Sequence, residues 1–312
     1  MMSATPDISI VIPTYKAGGG LVALIDALGD IIKTSRRSWE VILVDDGSPD
    51  GTWNLALELK EKADFPLRAI RLRNNVGQHN ATIAGLREAR GQCVVTMDDD
   101  LQHSPSAIED LIAPLERGAE LVLAAYPQKE HSSSRNFGGQ LVDGLLRRLF
   151  GLPKSLQLTS FRAMTASVAK DAAQTQDPFP YLTARLLVSA RSVVNVTLAH
   201  QPGTHRDSHY SLWKSIRLAA RLVFGYSALP IYAIIALALF AALTAGLAII
   251  WVVSGHMIDG GGAPGWASTI AMIAAFNGLN LIGLATLGVY IARIDRQLSG
   301  RSHLFVIEDI HD

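Results

Sequence analysis

The chain has 312 residues, 49% of them hydrophobic and 18% charged, with a formal net charge of zero. Soluble domains carry about 25% charged residues, and the deficit here is local: Leu222 to Ala292 holds 71 residues and one charge, Asp259, while the other 241 residues hold 55 of the 56 charges. This division predicts a soluble domain of roughly 220 residues followed by a membrane segment, excludes a polytopic transporter, and leaves no positive field for binding a nucleic acid.

No secretory leader is expected, because the first apolar stretch, Ile8–Ile12, is only strand-sized. Strand-like runs follow at Val41–Val44, Ala69–Leu72, Val94–Met97 and Leu121–Ala124. Helical patterns lie between them at Leu21–Ile32, Trp53–Lys62, Ala81–Ala89 and Ile108–Glu116. The alternation predicts an α/β domain with a largely parallel sheet, whose ligands bind beyond the carboxyl ends of the strands. Two of these strands end in acid, at Asp45-Asp46-Gly47-Ser48 and at Asp98-Asp99-Asp100. Adjacent carboxylates repel unless a cation joins them, and a divalent metal carrying a diphosphate is the economical partner. A solvated acidic turn is the alternative. Gly18-Gly19-Gly20 lacks the Gly-x-Gly-x-x-Gly spacing, which speaks against a nicotinamide enzyme. Cys93 is the one cysteine; it excludes an intramolecular disulfide and fits a reducing cytosol.

Further along, Ser211–Ser227 sets Lys214, Arg217 and Arg221 on one helical face and Trp213, Ile216, Ala220 and Phe224 on another, the pattern of an interfacial helix. Leu229–Val253 and Trp266–Ala292 carry no charge. The first, as a helix of about 38 Å, is long enough for a hydrocarbon core of about 30 Å. The Gly-rich stretch Ser254–Gly265 between them has no Lys or Arg, whereas Arg293, Arg296 and Arg301 follow the second span. The positive-inside rule therefore predicts a cytoplasmic domain at 1–210, an interfacial helix at 211–227, a hairpin at 228–292 and a cytoplasmic tail at 293–312.

Four motifs carry a resemblance: Ile10-Val-Ile-Pro13-Thr-Tyr15, Val44-Asp45-Asp46-Gly47-Ser48, Arg73-Asn74-Asn75-Val76-Gly77-Gln78-His79 and Met97-Asp98-Asp99-Asp100-Leu101-Gln102. In this order the chain resembles the family-2 glycosyltransferases of the GT-A fold, and within them the polyprenyl-phosphate glycosyltransferases, such as dolichyl-phosphate mannose synthase and the bacterial undecaprenyl-phosphate aminoarabinose and glucose transferases. The resemblance implies a GT-A α/β domain with a two-helix transmembrane hairpin, in the bacterial inner membrane. It implies inverting transfer from a nucleotide diphosphate sugar, a UDP-sugar being favoured, to undecaprenyl phosphate, and relatives often form tetramers. Carried over residue by residue, it places Pro13 and Tyr15 at the nucleoside, Asp46 against the base and Asp98 near ribose and diphosphate. Asp100, with Gln102, is placed on Mg²⁺ or Mn²⁺. Arg162 faces the acceptor, and Arg206, Ser208 and Tyr210 join it at the acceptor phosphate. Asp99 receives no ligand role. The chain departs from the family pattern at Lys16-Ala17, where Asn-Glu is usual, and at His209, where Lys is common; Arg206 stands near to supply that charge. A processive polysaccharide synthase is the first rival, but its Gln-x-x-Arg-Trp motif is absent. A non-catalytic scaffold is the second, and retention of Asp98 and Asp100 speaks against it. Because a phosphate monoester is already anionic near neutral pH, with its second pKa at about 6, the acceptor phosphate itself is the expected nucleophile and no general base is expected.

Overall fold

The computed structural model describes residues 5–126, 137–153, 155–174, 181–198, 232–241, 243–244, 265–298 and 307–311, together with residues 247, 250 and 254. The chain divides into two compact units, Met1–Tyr210 with Gly300–Asp312, and Ser211–Ser299.

The first unit is built on an eight-stranded sheet. Its first half alternates β1 (Ile8–Thr14), α1 (Gly20–Thr34), β2 (Trp39–Asp45), α2 (Thr52–Lys62), β3 (Leu67–Leu72), α3 (Gln78–Glu88), β4 (Cys93–Thr96), α4 (Ile108–Glu116) and β5 (Leu121–Ala125). All five expected strand runs and all four expected helices are present. Then follow α5 (Phe137–Phe150), β6 (Arg162–Thr165), α6 (Ala166–Ala173), α7 (Leu182–Ser189), β7 (Val193–Thr197) and, after the second unit, β8 (Ile307–His311). The spatial order is β7-β5-β6-β4-β1-β2-β3-β8. Strands β4, β1, β2 and β3 run parallel, β6 lies antiparallel between β4 and β5, and β8 closes the β3 edge antiparallel.

The central strands read as mostly apolar runs because both of their faces are covered. Along β1 the two-residue period splits the core. Ile8, Ile10 and Ile12 join one apolar cluster with Leu21, Leu24 and Leu28 of α1. Val11 joins the other with Ile42, Ile70, Ile83 and Ala84. Gly85 is required by this packing, since a Cβ there would stand 2.3 Å from Val11 Cγ1.

At the amino end of the sheet a buried polar knot replaces apolar contact. Glu40 Oε1 accepts from the Arg90 amide at 2.7 Å and from Ser9 Oγ, and Ser9 Oγ accepts from the Gly91 amide at 2.7 Å. Arg68 Nη1 lies 3.7 Å from Glu40 Oε2 and donates to the Glu88 carbonyl at 2.7 Å. Removing the carboxylate leaves the Ser9 hydroxyl and the Arg90 amide without this acceptor, while Arg68 keeps the Glu88 carboxylate at 3.3 Å. Glu40→Ala is therefore expected to lose about 2–3 kcal/mol in urea unfolding, the cost of buried polar groups left unsatisfied.

In the second unit, residues 232–241 are helical and α8 (Trp266–Leu298) runs 33 residues. Leu281, Ile282 and Leu284 of α8 are exposed. Among the described residues, no helix is long and apolar enough to cross a membrane, so the expected hairpin is not established by the fold. The expected interfacial helix 211–227 lies outside the described residues.

Candidate functional site

The acidic turns meet because their strands run side by side in the same direction. Thr14 of β1 pairs with Asp45 of β2, and Val11 with Thr96 of β4, so three carboxyl ends open onto one hollow. The pocket encloses about 340 Å³ and is lined by Pro13, Thr14, Tyr15, Asp46, Asn75, Gly77, Gln78, Asp98, Asp99 and Asp100. Five residues expected at a donor site, Pro13, Tyr15, Asp46, Asp98 and Asp100, thus come together.

Tyr15 is 42% exposed, with Lys16 Nζ 5.4 Å from its ring centroid. Lys16 adopts φ +54°, uncommon for a side-chain-bearing residue, and its amide donates to Ser48 Oγ at 3.1 Å. The buried Asp46 accepts the Val76 amide on one oxygen and the Gly77 amide on the other, each at 2.8 Å. Burial raises its carboxyl above the ordinary range, and these two amides draw it back. Its visible work is thus to brace the turn before α3, alongside any contact to a base. Gly47 allows that turn to approach: its φ is +63°, and a Cβ would lie 2.7 Å from the Asn74 carbonyl carbon. Gly47→Ala faces both backbone strain and a backbone clash. We expect it to cost about 1–3 kcal/mol of stability, measurable by urea unfolding.

Asp98 is clamped by two side chains to which the sequence reading assigned no role. Gln78 Nε2 donates to Oδ1 at 2.5 Å, and Ser160 Oγ donates to Oδ2 at 2.6 Å. The Ser160 carbonyl in turn accepts from Thr96 Oγ1 at 2.9 Å. Gln78 sits inside the motif Gly77-Gln78-His79, and Ser160 stands two residues before the expected site residue Arg162, which was the signal available for them. His103 Nδ1 accepts the Asp98 amide at 3.3 Å while its ring stacks on Phe161.

Asp99 has its carboxyl raised to about 6, by burial first and then by Asp100 and Asp98. Asp100 is exposed at the rim, where Leu101 bends the chain at φ +57° and the Gln102 amide donates to Asp100 Oδ1 at 3.1 Å. Gln102 therefore meets Asp100 through its main chain and does not line the pocket. Among the described residues no group of three or more His, Cys, Asp or Glu side chains could hold a metal by itself. The donor set still fits a hard divalent cation, which takes oxygen ligands and readily draws most of them from phosphate and water. Asp100 supplies one exposed carboxylate, with the neighbouring acids adding negative potential.

Arg162 opens β6 and is buried behind Asp98. Its Nε donates to Thr96 Oγ1 and its Nη1 to Thr183 Oγ1, both at 3.2 Å. Among the described residues no carboxylate forms an ion pair with it. Burial pulls the guanidinium down to about 10, while Tyr181 and Asp98 pull it back up, and it remains a cation at neutral pH. His79, solvent-exposed but packed edge-on against Tyr181, has its imidazole lowered by desolvation first and then by the Arg162 charge. A buried cation held by hydroxyls beside an imidazole is a site disposed to receive an anion. Arg206, Ser208 and Tyr210 lie outside the described residues.

The model of the family "Glycosyl transferase family 2" matches residues 9–171, which span the sheet from β1 to α6. The undecaprenyl-phosphate 4-deoxy-4-formamido-L-arabinose transferase of Edwardsiella ictaluri is 28% identical over 304 residues, covering 96% of this chain and 93% of the relative. The protein of the same description from Pseudomonas fluorescens is also 28% identical, covering 96% and 88%. Among solved structures, glucosyl-3-phosphoglycerate synthase from Mycobacterium tuberculosis, crystallised with Mn²⁺, UDP-glucose and phosphoglyceric acid, aligns with a TM-score of 0.49 at 20% identity, covering 70% of this chain and 79% of that one. With a family match extending over half its length, the chain belongs to glycosyl transferase family 2, and its α/β unit is a GT-A glycosyltransferase domain.

Proposed function

We propose that this glycosyltransferase moves a sugar from a nucleotide diphosphate sugar, a UDP-sugar being favoured, to the phosphate of a polyprenyl lipid, undecaprenyl phosphate. The observation that carries the reading is the pairing of an acidic pocket at the strand ends with the buried cation Arg162, which forms no ion pair among the described residues. The naming of curated relatives as undecaprenyl-phosphate transferases, aligned over 96% of the chain, supports the lipid acceptor.

In this reading Pro13 and Tyr15 flank the nucleoside, and Asp98, immobilised by Gln78 and Ser160, orients the ribose and diphosphate. Mg²⁺ or Mn²⁺, held at Asp100 near Gln102, would offset the charge that develops on the leaving diphosphate. An oxygen of the acceptor phosphate attacks the anomeric carbon, the carbon–oxygen bond to the diphosphate breaks, and its electron pair departs with the nucleotide. Attack from the opposite face inverts the configuration. No side chain needs to remove a proton, because the nucleophile is already an anion; the task is to hold two anions close together. Arg162 meets that need from the protein side, with Arg206, Ser208 and Tyr210 of the following segment assigned to the same phosphate. Incubating the full-length protein with a panel of radiolabelled nucleotide sugars and undecaprenyl phosphate tests the proposal. Label should enter the organic phase as a mild-acid-labile monophosphate sugar, and its absence with every donor overturns the acceptor assignment.

We further propose that 228–292 is a membrane hairpin joining a cytoplasmic catalytic domain to a cytoplasmic tail. The near-absence of charge from Leu222 to Ala292 supports it. So does the pairing of β8 with β3, because a strand returning to the same sheet requires an even number of crossings between them. In a background lacking Cys93, a cysteine at Gly261 should react with an impermeant thiol reagent on intact cells, whereas one at Ser3 should not. The reverse labelling excludes this topology.

A further inference from the structure

Beside the donor pocket, the returning strand takes part in a charged cluster that the mechanism has not used. Arg71 of β3 places Nε 3.8 Å from Asp45 Oδ2 and 3.7 Å from Glu308 Oε2 of β8. Its guanidinium carbon stands 5.8 Å from the Trp53 ring centroid, and the His311 ring of β8 packs against the same indole at 5.8 Å. A register shift between Arg71 and Leu72, opposite β8, marks the point where this side chain leaves the regular ladder. Asp45 is 1% exposed, and both its Oδ2 and Arg71 Nε are buried with no hydrogen-bond partner among the described residues. The two groups therefore face each other as charges alone. On its other oxygen Asp45 accepts the Ser48 amide at 3.2 Å, and Ser48 Oγ accepts the amide of Lys16, which follows pocket residue Tyr15.

We propose that Arg71, steadied by Glu308 and Trp53, is a positioning residue of the donor pocket, and that β8 is thereby a working part of that pocket. The inference rests on the donor reading given above. The chain of contacts runs Glu308, Arg71, Asp45, Ser48, Lys16, and ends at the left-handed turn that carries Tyr15. Burial disfavours the Asp45 carboxylate; the Ser48 hydrogen bonds oppose this first, and Arg71, the nearby cation, adds to them. Without it, the acceptor for the Ser48 amide weakens and the two turns lose their common brace. The half-exposed Glu308 contributes less, as a partly screened pair does.

Two readouts test this on the full-length protein, one with UDP as probe and one without any ligand. Arg71→Met is expected to weaken UDP binding about tenfold and to raise the donor KM, with kcat and the KM for undecaprenyl phosphate within about twofold; Glu308→Gln should give a loss of about threefold, and Arg71→Lys should restore most of the binding. Independently, hydrogen exchange of the Lys16 and Ser48 amides should accelerate in Arg71→Met and recover in Arg71→Lys. If the wild-type protein fails to bind UDP but these amides respond as stated, the donor reading fails and the positioning role stands. Unchanged exchange at both amides overturns the proposal, as does an equal loss for donor and acceptor.

Discussion

Asp100→Asn is expected to lower kcat about 10²- to 10³-fold, the range seen when one group stabilising a developing charge is removed. Asp100 is exposed at the pocket rim, and its one hydrogen bond, from the Gln102 amide, survives in the amide side chain. Folding should therefore change by no more than about 0.5 kcal/mol, and the thermal midpoint serves as the control. The decisive comparison is UDP affinity with and without Mn²⁺. Metal should strengthen binding to the wild type and leave the variant nearly indifferent. Full activity of Asp100→Asn, or of the wild type in excess EDTA, removes the metal from the mechanism.

Arg162→Met is expected to separate activity from stability in the opposite sense to most core substitutions. A guanidinium pulled by burial well below its ordinary value, to about 10, costs folding on the order of 3 kcal/mol. The folded state disfavours the proton, so the penalty is fully present at every pH below about 10 and fades only as pH rises above that toward the ordinary guanidinium range. At neutral pH the methionine variant is relieved of this cost while keeping most of the side-chain volume, losing in exchange two hydrogen bonds to Thr96 and Thr183. Its thermal midpoint should equal or exceed that of the wild type. Meanwhile kcat/KM for undecaprenyl phosphate should fall at least 10²-fold, with UDP affinity within about threefold. A strongly destabilised variant with unaltered acceptor kinetics assigns Arg162 to the fold; a selective loss of UDP binding assigns it to the donor.

The first half of the fold was legible because each central strand is mostly apolar, with Ser9, Glu40, Arg68 and Arg71 as interruptions, and lies between helical patterns, as burial on both faces requires. The acidic turns were legible for a related reason: a carboxylate next to such a run must sit where the strand leaves the core. The later strands offered no such pattern. β6 is four residues long and opens on Arg162, and it is a strand because β4 and β5 flank it on both sides. β8 reads Ile-Glu-Asp-Ile-His, too short and too acidic to separate from a tail, and it is defined by the open edge of β3. The clamp on Asp98 was hidden for a different reason. Gln78 and Ser160 are 20 and 62 residues away from it in the chain, and their convergence is a property of the folded sheet.

The edge position of β8 also sets an order of manufacture. Strand β3 is translated early and β8 only after all of residues 211–299, so throughout that interval the nascent sheet carries an open, unpaired edge. Loop-closure entropy grows only logarithmically with the intervening length, so the delay does not prevent the strand from docking once it emerges. A ribosome that stalls within residues 211–299 releases a product with seven strands and no β8 to cap β3. Such a truncated chain keeps β3 as a bare edge, a ready template for pairing with another chain, so β8 also guards the sheet against association.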